Sequence, residues 1–257
     1  MNEIELHKTL NQLGEEWLSS KIQRMRNLLK IALPDEALYR EIMLSLGYPK
    51  NKVQFLELAL LLPYKEIQKL KTQPLIEKAL LYRAGFTQDA SNLPGDFDTS
   101  LKLNNSYWTY KSIRPANFPD KRIKDFSDLL FKTTEKGIYN YFKKQIEKNY
   151  TEVYDKTSAK KIVEKIMSFK GIGISRKREM FFNIILPFFL SDESFSNYHS
   201  FLIKLFETHA SLDENSKIKK FYKLVGANSR SPLRQPNEKI QISNAKEYFG
   251  AIKFSGG

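Results

Sequence analysis

The sequence predicts an all-α protein, one compact multihelical domain of roughly ten to twelve helices. Apolar residues recur three and four positions apart along nearly the whole chain, a spacing that gathers them on one face of a helix. No stretch alternates apolar with polar at period two, no Asn-Gly pair marks a hairpin, and no βαβ rhythm occurs. The 257 residues are 41% hydrophobic and 28% charged, a mix that closes a core without disulfides or metals.

The elements follow from this spacing. Leu6, Leu10, Leu13 and Trp17 step by four, three and four, and Leu18, Ile22, Met25 and Leu29 repeat the step. They predict one long helix over about 3–31, with Pro34 blocking its continuation. Asp35 and Glu36 suit the positive end of a second helix, whose stripe is Leu38, Ile42 and Leu46 and whose C-cap is Gly47. Asn51 is placed to cap a third helix, Val53 to Leu62, apolar on nearly all sides and so read as central and buried. Short helices fit 64–71 and 75–84, with Gly85 as a stop. The turn formers of 87–98, TQDASNLPGDFD, make the best loop and the place for a subdomain boundary. Helices resume over 99–111, 119–132, 135–148 and 157–169, and Gly171 and Gly173 then break the chain. A very apolar helix over 175–190, bent or ended near Pro187, and helices over 194–209 and 214–224 complete a helical domain spanning 1–225. The remainder, 226–257, reads as a polar loop from Gly226 to Gln241 followed by a short helix from Asn244 to Ile252.

Composition excludes several kinds of chemistry. With no cysteine there is no disulfide, thiolate metal site or cysteine nucleophile, and His7, His199 and His209 are too scattered for a zinc site. No cofactor or metal is expected. The N-terminus has no basic segment leading into an apolar one, so no secretory signal is read. The longest apolar run, Met180 to Leu190, falls short of the roughly 20 residues a bilayer requires. The expectation is a cytoplasmic protein with no membrane partner. No phosphate loop of Walker or dinucleotide type, G-x-S-x-G elbow, H-E-x-x-H or paired carboxylates occur, so catalysis is not expected unless a site is assembled in space.

The charge is unusual. The chain has 42 Lys and Arg against 29 Asp and Glu, a net +13. Residues 156–178 hold eight basic side chains and one acid, Glu164. A basic stretch draws in phosphate backbones, and the counterions it releases drive association. Against this, Lys outnumbers Arg 32 to 10 and Asn, Ile, Phe and Tyr abound, a composition that an AT-rich genome also produces.

Two local motifs stand out. Phe169-Lys170-Gly171-Ile172-Gly173, between helical stretches, resembles a helix-hairpin-helix turn, which offers backbone N–H groups to a phosphate. Lys170, Arg176, Lys177 and Arg178 would support that role, with Gly171 and Gly173 forming the turn. Lys177 departs from the motif, which has a small residue there for close helix packing. The bland reading is a helix stop and a helix start. The second motif is Trp108 to Arg122, WTYKSIRPANFPDKR, in which Pro115 and Pro119 bracket an extended turn. Its aromatics Trp108, Tyr110 and Phe118 could stack on bases beside Arg114 and Arg122. The structural reading has the aromatics in the core, Arg114 bonded to carbonyls at helix ends, and Asn117 capping the next helix. Asn183, within the apolar helix, needs partners if buried, the nearest being a carbonyl freed by Pro187.

Several segments taken together resemble a family. They are L-x-x-L-G-E-x-W-L-x-x-K from Leu10 to Lys21, A-L-Y-R-x-I-x-x-x-L-G-Y-x-x-N from Ala37 to Asn51 and F-x-x-L-A-x-x-L-P from Phe55 to Pro63. I-E-K-A-L-L-Y-R-A-G-F from Ile76 to Phe86, R-P-A-N-F-P-x-x-R from Arg114 to Arg122 and N-I-I-L-P from Asn183 to Pro187 continue the series. The chain thus resembles, over roughly residues 6–225, the bacterial family known as domain of unknown function 2851. The resemblance implies that longer members carry a further N-terminal half with Asp, Glu and His motifs, suggestive of a metal-dependent nuclease-like fold. It places this chain after that half and without its catalytic centre. Family members also tend to end in a cysteine-rich segment, from which this cysteine-free chain departs.

The expected function is a non-catalytic helical binding or accessory module. Its partner would be nucleic acid, held by its phosphates beside a separate nuclease-like protein. The alternative is a protein–protein interaction module with no nucleic-acid role, its basic charge a matter of composition.

Overall fold

A computed structural model describes residues 2–47, 50–213, 215–225 and 241–256. Its helices are α1 (Glu3–Leu29), α2 (Pro34–Leu46), α3 (Lys52–Leu61), α4 (Tyr64–Ile67), α5 (Gln73–Arg83), α6 (Pro119–Thr133) and α7 (Ile138–Lys148). They continue as α8 (Lys156–Ile166), α9 (Ile174–Met180), α10 (Leu186–Ser191), α11 (His199–Thr208), α12 (Ser216–Leu224) and α13 (Ala245–Phe254). A π-helical turn, Phe181–Ile185, joins α9 to α10 without a break, so the described residues form twelve helices and no strand. The protein is all-α. The loop read at 226–241 lies, except for Gln241, outside the described residues.

The chain divides into two compact units: Met1–Asn27, Asn149–Ile166 and Phe181–Gly257 form the first, and Leu28–Lys148 with Met167–Met180 the second. The predicted boundary at 87–98 lies inside the second unit. Side chains of α5 hold that loop: Lys78 Nζ donates to Ser91 O at 2.7 Å, Tyr82 Oη donates to Thr99 O at 2.9 Å, and the buried Arg83 donates to the carbonyls of Asp98 and Leu101.

In the first unit α1 and α13 touch backbone to backbone. A Cβ added at Gly14 would run into Lys246 O, and one at Gly250 into Leu10 O. Beside this crossing Trp17 stacks on Phe249 at 3.9 Å. Asn244 caps α13, and Glu247 reaches back to the residue before the cap. Asn244 Oδ1 accepts from Glu247 N at 2.9 Å, and Glu247 Oε2 accepts from Ser243 N at 2.8 Å. Glu247 is buried, and its other oxygen faces His7 Nδ1 at 3.0 Å and accepts from Asn11 Nδ2 at 3.2 Å. Replacing this carboxylate leaves three half-buried donors unmatched. Glu247→Ala should lower stability by about 1–3 kcal/mol, measured as a drop in melting temperature that Glu15→Ala, at an exposed position, does not show.

The second unit is organised on α2, which packs against α3 and α7 and buries Ala37, Leu38, Tyr39, Ile42, Met43 and Leu46. Its two acids serve helices other than their own. Asp35 Oδ1 accepts from Tyr139 N at 2.8 Å at the start of α7, and Glu36 Oε2 accepts from Tyr64 N at 2.8 Å at the start of α4.

The structure corrects or refines five expectations. Pro34 blocks α1 but also opens α2, at its first position, where a missing N–H costs nothing. Helix α3 is not buried all round, since Val53 is 58% and Leu60 50% exposed. Residues 99–111 form no α-helix, only a 3-10 turn at Asn105–Tyr107. The rest is held extended by distant side chains: Asn51 brackets Thr109 with two bonds of 2.8 and 2.9 Å, and Gln54 Nε2 donates to Tyr107 O at 2.9 Å. Asn51 therefore spends its amide here and does not cap α3. Finally, Pro187 does not end its helix. It offers no N–H to the carbonyl of Asn183, four residues earlier, and the wider π turn containing the half-buried Asn183 accommodates that loss.

Candidate nucleic-acid interface

The Gly171 turn lies in the second unit, against α6. Gly171 has φ +86°, and a Cβ there would strike the backbone carbonyl of Asp125. Ile172 is buried and plugs the turn into the unit, while Gly171, Gly173, Ile174 and Ser175 are exposed. Lys170 N donates to Asp128 Oδ2 at 3.1 Å, so a carboxylate of α6 already occupies the first N–H of the turn. The N–H groups of Gly171, Ile172, Gly173 and Ile174 meet no acceptor among the described residues.

The turn's own cations are only partly available. Lys177 folds back, its Nζ donating to Phe169 O and lying 4.6 Å from the Phe169 ring centroid. Burial, and then the neighbouring charge of Lys132, hold its pKa below the usual lysine value, against the pull of Asp128. Arg176 pairs with Glu179 at 2.9 Å, and Arg178 is half-buried. Lys170 remains exposed.

Helix α6 supplies what the sequence reading missed. Lys121, Asp125, Asp128 and Lys132 fall at i, i+4, i+7 and i+11, one face of the helix. Lys121 pairs with Asp125 at 3.3 Å and Lys132 with Asp128 at 2.7 Å. The two acids that touch the turn thus carry two lysines to its side. Asp128 is held below the usual carboxylate range by Lys132 and by the Lys170 N–H, which outweigh its burial.

The residues of the Trp108–Arg122 segment are placed differently from one another. Trp108 is buried, donates Nε1–H to Ala84 O at 2.7 Å and stands edge-on to Phe55 at 5.2 Å. It faces no base. Asn117 does not cap α6, whose N-cap is Phe118 with no side-chain bond. Arg114 is exposed, and its side chain makes no hydrogen bond among the described residues. The buried arginine is Arg122, which donates to Leu46 O at the end of α2. Burial first, then the positive charge of Arg176, pull its pKa down to about 10, and Glu179 partly offsets them.

A groove of about 370 Å³ opens at the start of α6, between Leu81, Phe86, Asn105, Tyr110, Phe118, Asp120 and Lys124. Tyr110 and Phe118 meet edge to face at 4.9 Å. Burial and nearby Asp120 raise the Tyr110 phenol above its usual pKa. The side chains of Asn105, Asp120 and Lys124 have no hydrogen-bond partner among the described residues.

Other chemistry finds no gathering of groups. The histidines lie apart in the first unit: His7 faces Glu247, His199 the carbonyls of Phe189 and Asp192, and His209 Nδ1 the carbonyl of Ala210. Among the described residues no three of His, Cys, Asp and Glu come together where they could hold a metal ion, and no helix is long and apolar enough to cross a membrane.

The family model "Protein of unknown function (DUF2851)" matches residues 1–217. The chain belongs to this family. Neither a curated protein nor a solved structure matches it. Both the Gly171 turn and the groove lie inside the matched span, whereas α13, which locks onto α1, lies beyond it.

Proposed function

We propose that this DUF2851 member is a non-catalytic, cytoplasmic accessory module that binds nucleic acid by its phosphates, on the Gly171 turn and the adjoining face of α6. The observation that carries the reading is the exposed turn. Four backbone N–H groups without an acceptor among the described residues stand at the turn that opens a helix, where the helix dipole favours an anion. Lys170, Lys121 and Lys132 border them, in a chain of net charge +13. Backbone amides and lysines recognise phosphate without reading sequence. A module of that kind suits work beside a nuclease-like protein that supplies the chemistry, as the family resemblance suggests.

Lys121→Gln, Lys132→Gln and Lys170→Gln test the reading, because all three side chains are exposed and each change should move stability by less than about 1 kcal/mol. Affinity for oligonucleotides, followed by fluorescence anisotropy across a salt series, should fall for every sequence alike. The slope of log affinity against log salt should drop by about 0.7–0.9 per lost contact. If all three variants bind like the parent with the same slope, the reading fails.

A second reading, a protein-interaction module, draws on α3. Val53, Leu56 and Leu60 lie on one side of that helix, Val53 and Leu60 are exposed, and an apolar helix face is what a partner's groove accepts. Val53→Asp combined with Leu60→Asp should then abolish capture of the partner while leaving oligonucleotide affinity alone.

A further inference from the structure

The groove at the start of α6 has the chemistry of a base-binding site. Its walls include three aromatic rings, Phe86, Tyr110 and Phe118, and every nucleobase has a π face that such rings can stack on. Its polar groups are Asn105, which can donate and accept, Asp120, which accepts, and Lys124, which donates. None of the three side chains has a hydrogen-bond partner among the described residues, so the edge of a planar heterocycle would find both kinds of partner there. The volume of about 370 Å³ lies within the range of small-ligand sites.

The position matters as much as the lining. Asp120 and Lys124 are one turn apart on α6, and Lys121 is next to them in the chain. Asp125 and Asp128, which touch the Gly171 turn, follow along the same helix. From Asp120 to Asp128 the helix rises about 12 Å. Lys124 lines the groove and Lys121 pairs with Asp125 at the turn, so a sugar–phosphate backbone would pass along these two lysines from one to the other.

Resting on the phosphate-binding reading above, we propose that this groove takes an unpaired base, so that the chain prefers single-stranded nucleic acid over duplex. A paired and stacked base cannot enter a side-wall groove without being extruded, whereas a single strand presents its bases at little cost.

The experiment compares three fluorescein-labelled probes of equal length by anisotropy: a mixed-sequence single strand, the same strand with abasic sites throughout, and the duplex. The base-bearing strand should bind about tenfold more tightly than the abasic one, the usual scale of one base–aromatic contact. Tyr110→Ala should remove that difference while leaving abasic and duplex binding as they were. Asn105→Ala, at an exposed position whose side chain bonds to no described residue, is the second variant and should narrow the difference without changing the melting temperature. If base-bearing and abasic strands bind alike while Lys121→Gln and Lys170→Gln still weaken both, the groove proposal falls and the phosphate reading stands. If the parent protein binds none of the three probes, both fall.

Discussion

Gly250→Ala should destabilise the first unit by roughly 3 kcal/mol, although helix propensity alone predicts the reverse. Alanine in a helix interior is favoured over glycine by about 1 kcal/mol. At Gly250, however, the new Cβ would coincide with the carbonyl oxygen of Leu10 on α1, a backbone atom that no rotamer change can move. The helices must separate, and the cores they share are pulled apart with them. Trp17 would lose its stack on Phe249, and the Glu247 bonds to α1 would lengthen. Overpacking of this kind costs about 1–3 kcal/mol or more, and the lost contacts add to it. For a chain of this size the melting temperature should fall by roughly 6–12 °C. Gly173→Ala is the control: its added Cβ meets nothing within 4 Å and its φ is not in the left-handed region, so stability should hold. A Gly250→Ala melt equal to the parent's would mean that α1 and α13 do not cross at these glycines.

The helices were legible because their stripes are local. Leu6 to Leu29 write out α1 unaided, and the ends of α6, α7, α8 and α12 fall within a few residues of the apolar spacing. The misreading of 99–111 has a different origin. Nothing within that segment forbids a helix. What holds it extended is Asn51 and Gln54, more than fifty residues earlier, and the Ala84 carbonyl that takes the Trp108 indole N–H. Tertiary side-chain bonds of this range leave no periodic trace. The same holds for Asp35 and Glu36, whose acidity at a helix start was legible but whose partners, Tyr139 N and Tyr64 N, were not.

The candidate site divides in the same way. Gly171, Ile172 and Gly173 announced a turn, and its exposed backbone follows from that. That Asp128 already takes the Lys170 N–H is set by packing of α6, 42 residues away. Of the basic stretch 156–178, Lys156, Lys160, Lys161 and Lys165 lie on α8 in the first unit, and Lys170 to Arg178 belong to the second. One signal was available and unused: Lys121, Asp125, Asp128 and Lys132 share a helix face by spacing alone. The groove drew on residues from 81 to 124 spread over α5, two turns and α6, and only the fold brings them together.

Arg122→Ala should cost about 2–4 kcal/mol, while Arg114→Ala, eight residues earlier in the same motif, should change stability by no more than about 0.5 kcal/mol. Both arginines stand in R-P-A-N-F-P-x-x-R, and sequence offers no ground for separating them. Exposure does. Arg122 is 8% exposed, and its guanidinium donates to Leu46 O, a last-turn carbonyl of α2 with no helical N–H to accept. Removing it strands that carbonyl in the interior and leaves Glu179 with one fewer compensating charge. It also empties the space filled by the arginine stem, which packs as an apolar chain. Arg122→Lys should recover little, since one ammonium cannot reproduce the planar fork. Arg114 sits at the surface with none of these duties, so its loss leaves no buried group unmatched. Chemical denaturation of the two variants side by side decides the matter. Equal midpoints would show that burial of Arg122 does not hold α2 to α6. A larger loss at Arg114 would return the structural role to the residue that the sequence first suggested.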